Sequence, residues 1–226
     1  MDKIITDKSL TKTFEDIIII NDKALKILGY FNMNKCGGEI MIERNKTICF
    51  SGHRTEKLPK RKDKFNFMIQ SLYNEINKAV TEGYGTFMFG ACYGFDLICA
   101  EQVLKRKQII RIEDPVINLI AVVPFEDQAA RWKEQERDKY FEILSKCDDV
   151  IILNKQYKSG CYHERNRYMV DNSSKLICYY DGSSGGTRYT VEYSERQKMQ
   201  IINLCNDYTS SDFKIKKHER LMQPIK

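Results

Sequence analysis

No run in the 226-residue chain approaches the roughly 20 apolar residues of a membrane span. Its opening stretch, MDKIITDKSL, lacks an apolar signal core. The expectation is a soluble, cytoplasmic protein with no membrane partner. The eight cysteines include no C-x-x-C pair; Cys49, Cys92 and Cys178 fall within or at the ends of apolar runs, and Cys99 falls in a helical one. They read as small hydrophobes in a reducing compartment rather than as a disulfide framework. With only three histidines there is little from which to build a metal site: His163 stands two residues after Cys161, but no second pair has ligand spacing. The absence of G-x-G-x-x-G removes the signature of dinucleotide binding. Nothing implies a cofactor, and no repeat period appears.

The apolar content of 42% supplies a core without staples, and the length fits one sizeable domain with an appendage. The formal charge of +6 is mostly lysine spread along the chain, with a local run at Lys214-Ile215-Lys216-Lys217-His218-Glu219-Arg220. Such a tail either solvates a terminus or grips nucleic acid. Anionic ligands suit the balance in both cases.

Residues 1–45 read as an appended hairpin or packing arm. Phe14 to Ile20 has the look of a strand, Lys23 to Phe31 fits helix or strand, and Gly37-Gly38 marks a break. From Lys46 apolar strands alternate with longer helical segments in the βαβ manner. The strands are Thr47 to Phe50, Thr86 to Phe89, Ile117 to Val123, Val150 to Leu153, Leu176 to Tyr180 and a short one near Ile201 to Leu204. Helices are expected over Lys62 to Glu82, Leu97 to Lys107, Arg131 to Lys146, Tyr162 to Asn172 and Tyr189 to Gln200. In the first of these, Phe65, Ile69, Leu72, Ile76 and Val80 share one stripe. Right-handed crossovers then give a Rossmann-like, three-layer, doubly wound, mostly parallel α/β sheet over residues 46–208, followed by a basic tail at 209–226.

In such sheets ligands bind at the carboxyl edge of the strands, and each strand end here carries unusual residues. After strand one, Gly52 permits a tight turn, Arg54 suits a phosphate or carboxylate, and His53 is either a hydrogen-bonded structural residue or a ligand contact. After strand two, Gly90, Gly94 and Asp96 form a G-x-x-x-G-x-D turn in which Asp96 either caps the helix or accepts a ribose hydroxyl. Pro124-Phe125-Glu126-Asp127-Gln128 follows strand three, with Trp132 shortly after as a core anchor or a stacking surface for a base.

The stretch His163 to Tyr193 joins a polar helix, the buried strand Leu176 to Tyr180, a Ser-Ser-Gly-Gly-Thr turn and a further helix. That turn is either an ordinary connection or a cradle of backbone N–H groups for a phosphate at a helix amino end. Arg165 and Glu192 flank it. A carboxylate facing an arginine beside a bound ribose suits N-glycosidic cleavage, while Glu192, four residues from both Arg188 and Arg196, equally suits a surface ion pair.

Five spaced blocks in order resemble the YpsA-like branch of the SLOG superfamily, which unites Smf/DprA proteins with LOG nucleotide phosphoribohydrolases. They are Gly52-His53-Arg54 with Lys57-Leu58-Pro59; Gly90-Ala91 with Gly94-x-Asp96 and Ala100-Glu101; Pro124-Phe125-x-x-Gln128 with Trp132; Arg165-Asn166-x-Tyr168-Met169-Val170-Asp171; and Asp181-Gly182 with Gly185-Gly186-Thr187-x-x-Thr190. The resemblance implies a Rossmann-like fold binding a nucleotide or nucleotide-derived molecule through these blocks, as sensor or sequestering protein. It also implies two alternatives: LOG-like hydrolysis of a nucleoside monophosphate by Arg165 and Glu192, or single-stranded nucleic-acid binding like Smf/DprA. Self-association is left open. Arg165 and Met169 match one LOG block and Gly185, Gly186 and Glu192 the other, but Arg188 replaces its third glycine and Tyr189 its threonine. A bulky Arg188 reshapes a phosphate cradle while adding positive charge, a change that binding survives more readily than catalysis.

Overall fold

The computed structural model describes residues 18–19 and 40–205. Its strands are β1 (Thr47–Gly52), β2 (Thr86–Phe89), β3 (Asn118–Val123), β4 (Asp149–Ile152), β5 (Lys175–Tyr179) and β6 (Gln200–Asn203). Between them run α1 (Lys62–Thr81), α2 (Phe95–Lys107), α3 (Glu134–Ser145), α4 (Cys161–Asp171) and α5 (Gly186–Arg196). The strands form one six-stranded sheet in the order β4-β3-β2-β1-β5-β6. Every neighbouring pair is parallel, so the expected mostly parallel sheet is entirely so.

Residues of the inner strands point alternately to two cores, as a pleat buried on both faces requires. Ile48, Phe50, Phe87, Phe89, Leu119 and Ala121 enter one core with α1, α2 and α3. Cys49, Met88, Ile120, Val122, Leu176 and Cys178 enter the other with α4 and α5. The rings of Phe50 and Phe87 stack at 6.0 Å across the β1–β2 boundary. Each such fully buried side chain contributes about 1.5–3 kcal/mol relative to exposure. The α1 stripe buries Met68, Leu72, Ile76, Ala79 and Val80, with Phe65 and Ile69 half-buried beside them. Gly83 ends the helix at φ +85: its amide bonds to Val80 O at 2.9 Å and that of Tyr84 to Ala79 O at 3.0 Å, a Schellman closure.

The chain winds outward from β1 to β4, then crosses back and inserts β5 on the other side of β1. The order therefore reverses between β1 and β5, the kind of switch point at which open α/β sheets bind ligands. All five helices differ from their expected bounds by at least one residue, two of them by three residues at the start. The third starts at Glu134 rather than Arg131, so Trp132 lies in a turn, and the last starts at Gly186, which puts the glycine turn at its amino end.

Outside this sheet, Ile18–Ile19, within the expected strand Phe14 to Ile20, pairs antiparallel with Ile109–Ile110, and the rest of that stretch lies outside the described residues. The expected segment Lys23 to Phe31, the break at Gly37-Gly38 and the tail at 209–226 lie outside the described residues. Among the described residues no helix is long and apolar enough to cross a membrane.

Candidate functional site

Gly52, Gly90 and Gly186 stand at the carboxyl ends of β1 and β2 and just beyond that of β5, three adjacent strands. The first two glycines answer to the protein itself. A Cβ on Gly52 would lie 2.6 Å from that of Phe95, whose amide donates to His53 O at 3.0 Å and presses the start of α2 onto the end of β1. A Cβ on Gly90 would overlap the Arg165 guanidinium and come within 2.8 Å of Asp96 Oδ2. Gly94 has φ +96 and would bring a Cβ within 2.7 Å of Arg54 Cα, so close backbone approach and a left-handed conformation both demand glycine there.

Arg165 is buried, donates from Nη1 to the carbonyl of Gly90 and from Nε to Asn166 Oδ1 at 2.7 Å. Asp96 is buried beside it and accepts from the Cys92 amide at 3.4 Å. The helix cap is Gly94, so Asp96 serves the loop before its helix rather than the N-cap position. Burial pushes the Asp96 carboxyl up to about 6 from an ordinary 3.8, against the pull of Arg165, of backbone hydrogen bonds from Cys92 and Gly90, and of Arg54.

Arg54 lies 4.9 Å over the Tyr93 ring and donates to its hydroxyl at 3.2 Å. Tyr93 in turn meets Trp132 edge-on at 5.0 Å, and Trp132 meets Tyr140 in the same manner at 5.3 Å. Gln128 is buried and donates to Ala91 O at 3.1 Å, fixing a loop in which Ala91 takes the left-handed φ of +52. An alanine held there stores strain on the order of 1 kcal/mol, which the packed loop sustains. Pro124 O accepts from Asn154 Nδ2 at 2.9 Å, joining the ends of β3 and β4.

His53 and Asp181 connect β1 to β5 through a 2.7 Å contact of Nε2 with Oδ1. Burial raises the Asp181 carboxyl, but hydrogen bonds from the Ser183 side chain and amide, with the charge and hydrogen bond of His53, outweigh it and hold the group down at about 2. Lys57 donates to Ser183 Oγ at 3.0 Å and closes the same two loops further out.

The Gly185-Gly186 turn is the open part of the rim. A Cβ on Gly185 would meet nothing within 4 Å, and one on Gly186 only Asn166 Nδ2 at 3.9 Å. Gly185, at φ +143, is the N-cap of α5; no side chain caps this end and its first turn holds no acid. Thr187 and Thr190 are buried, and Thr190 Oγ1 donates back to Gly186 O at 3.0 Å. Asn166 Nδ2 donates to the same carbonyl at 3.4 Å, so one amide side chain links the Arg165 cluster to the glycine turn. Arg188 binds Glu192 at 2.7 Å as an i,i+4 pair.

Arg54, Asp96 and Arg165 thus share one rim with the glycine turn. Arg165 faces Gly90, while Glu192 faces Arg188, so the two residues read from sequence as a hydrolytic pair take separate partners. Tyr93 and Asn154 carry contacts that the sequence did not signal, and Asn166 and Asp181 stood in the matched blocks without an assigned role. The available signals were the position of Asn166 beside Arg165 and of Asp181 directly after a buried strand. A separate cleft of about 350 Å³, lined by residues including Lys46, Thr86 and Asn118, opens at the amino ends of the strands, away from this rim.

The fold is a doubly wound α/β sheet similar to that of DNA processing protein A. The chain aligns with that protein from Streptococcus pneumoniae at TM-score 0.50 and 13% identity, covering 78% of itself and 56% of the other chain. It aligns with the Helicobacter pylori protein at TM-score 0.51 and 12% identity over 76% and 73% of the two chains; that structure is described in terms of a single-stranded DNA binding mode. The chain belongs to the YspA SLOG family, whose model matches residues 48–209. A UPF0398 protein of Halalkalibacterium halodurans, BH1768, is 30% identical over 137 residues, 59% of this chain and 70% of the relative.

Proposed function

We propose that the carboxyl rim of the sheet binds a nucleotide or nucleotide-derived phosphate ester, in a sensing or sequestering role. The observation that carries this reading is the amino end of α5. It is uncapped, free of acids in its first turn and opened by Gly185 and Gly186, so its amides and dipole suit a phosphate. Arg165 and Asn166 stand at its side, and Arg54 lies across the same edge. Membership in the SLOG family supports the nucleotide-derived class. The separate pairing of Glu192 with Arg188 favours binding over glycosidic cleavage.

Calorimetry with nucleoside monophosphates, ADP-ribose and cyclic nucleotides tests the proposal. Heat from at least one of them is expected. Its loss in Gly186→Val, with unfolding unchanged, is the signature of the glycine turn. Absence of heat across the panel overturns the reading. Strong, steeply salt-dependent affinity for single strands instead would favour a nucleic-acid ligand.

A further inference from the structure

We propose that the paired rings of His163 and Tyr189 are the nucleobase platform of this site, so that its ligand is a nucleotide bearing an intact base rather than a sugar phosphate. The inference rests on the phosphate-binding reading above and adds the part of the ligand that lies beyond the phosphate.

His163 belongs to the first turns of α4 and Tyr189 to those of α5, and their rings stack at 4.1 Å between centroids and 11° between planes. Asn166 is three residues after His163, and Gly186 three before Tyr189. Residues at that spacing lie on one helix face, so the turns that make the Asn166–Gly186 contact also carry the stacked rings. Their separation along each helix is about 4.5 Å, at 1.5 Å per residue. Helical side chains also lean toward the amino terminus, which tips the Tyr189 ring toward the glycine turn, and the stack continues from it onto His163. A phosphate at Gly186 therefore has an aromatic surface within reach of its ribose.

The pair is built rather than incidental. Arg167 donates to Tyr189 Oη at 2.9 Å and fixes the ring, and Tyr193 continues the column with its plane 2° from that of Tyr189 at 6.2 Å. His163 is exposed, so its ring presents a surface to solvent. Trp132, the other candidate platform, already has Tyr93 and Tyr140 set edge-on against it. A base on His163 would form the next layer of an existing stack and be held by its π-face, a mode tolerant of base identity.

Titration calorimetry of the full chain with AMP, CMP and ribose 5-phosphate decides the matter. Both nucleotides are expected to bind about tenfold tighter than ribose 5-phosphate, the range that one stacked base supplies. In His163→Ala and Tyr189→Leu that ratio should fall toward one. His163→Ala removes an exposed side chain and keeps the test valid should Tyr189→Leu unfold. Equal affinity of wild type for nucleotides and ribose 5-phosphate overturns the platform while leaving the phosphate site intact, as does a ratio that persists in both variants. No heat from any of the three overturns the platform and the phosphate-binding reading together.

Discussion

His53 Nε2 lies 2.7 Å from Asp181 Oδ1, so a side chain at the exit of β1 is tied to one at the exit of β5, 128 positions along the chain. The contact spans the point at which the winding of the sheet reverses. It holds together the two loops between which a ligand of this fold class would sit.

The acid limb of stability should report this tie. The Asp181 carboxyl sits at about 2 in the folded protein against an ordinary 3.8, so its contribution is present above 3.8 and is lost as pH falls towards 2. At 40% side-chain exposure, screening reduces that contribution to the order of 1 kcal/mol. Urea unfolding between pH 5 and 2 should show a shallower loss in Asp181→Asn than in wild type. Identical slopes would remove the contact from the stability of the rim.

Asp96 works in the opposite direction. Its folded value of about 6 lies above 3.8, so its contribution is full below 3.8 and lost as pH rises through 6. Near neutrality the ionised carboxylate depends on Arg165. Arg165→Leu should therefore destabilise by on the order of 3 kcal/mol at pH 8 and by distinctly less at pH 5, where Asp96 takes up a proton. Asp96→Asn should flatten the pH profile between 4 and 7. Unfolding free energies of the two variants at three pH values check both statements.

The glycines of the rim should separate into two groups. Gly52→Ala drives a methyl into the Phe95 ring, and Gly94→Ala combines φ +96 with a 2.7 Å approach to Arg54 Cα. Each should destabilise by about 1–3 kcal/mol. Gly186→Ala, with space around it, should shift stability by no more than about 0.5 kcal/mol. Thermal unfolding of the three variants, alongside ligand heats for Gly186→Ala, distinguishes structural glycines from a ligand-facing one.

Glu192 should be dispensable for binding. Its half-buried pair with Arg188 is an i,i+4 helix contact, contributing about 0.3–0.5 kcal/mol. Glu192→Gln should change the ligand dissociation constant less than twofold. Release of free base by wild type and its loss in this variant would return Glu192 to a hydrolytic role.

The alternation of Ile48-Cys49-Phe50 and Phe87-Met88-Phe89 between helical stretches made the doubly wound sheet legible, because strands buried on both faces leave no polar side to confuse the pattern. Helix starts were harder. Gly186 opens α5 although glycine disfavours helix through the backbone entropy it gives up, a cost that the packing of Thr187 and Thr190 offsets. The site was legible as a set of strand ends but not as a set of pairings. Nothing local says that Arg165 reaches across to Gly90, that Asn166 meets Gly186, or that Asp96 serves Cys92 rather than its own helix. Such contacts depend on the order of strands, which periodicity does not encode. Glycine was ambiguous for the same reason: Gly52 and Gly186 look alike in sequence, yet one is filled by Phe95 and the other is open.

The position of β5 beside β1 bears on how this protein is made. While the ribosome is still translating the first two-thirds of the chain, β1 has β2 on one flank and nothing on the other, leaving a strand of buried-type residues with a row of unsatisfied peptide groups. Only when Lys175–Tyr179 emerges does that flank close, through contacts of high sequence separation that form slowly. Nascent chains halted before that point should be the ones that chaperones retain, and the rim cannot take shape earlier because half of it has not yet been synthesised.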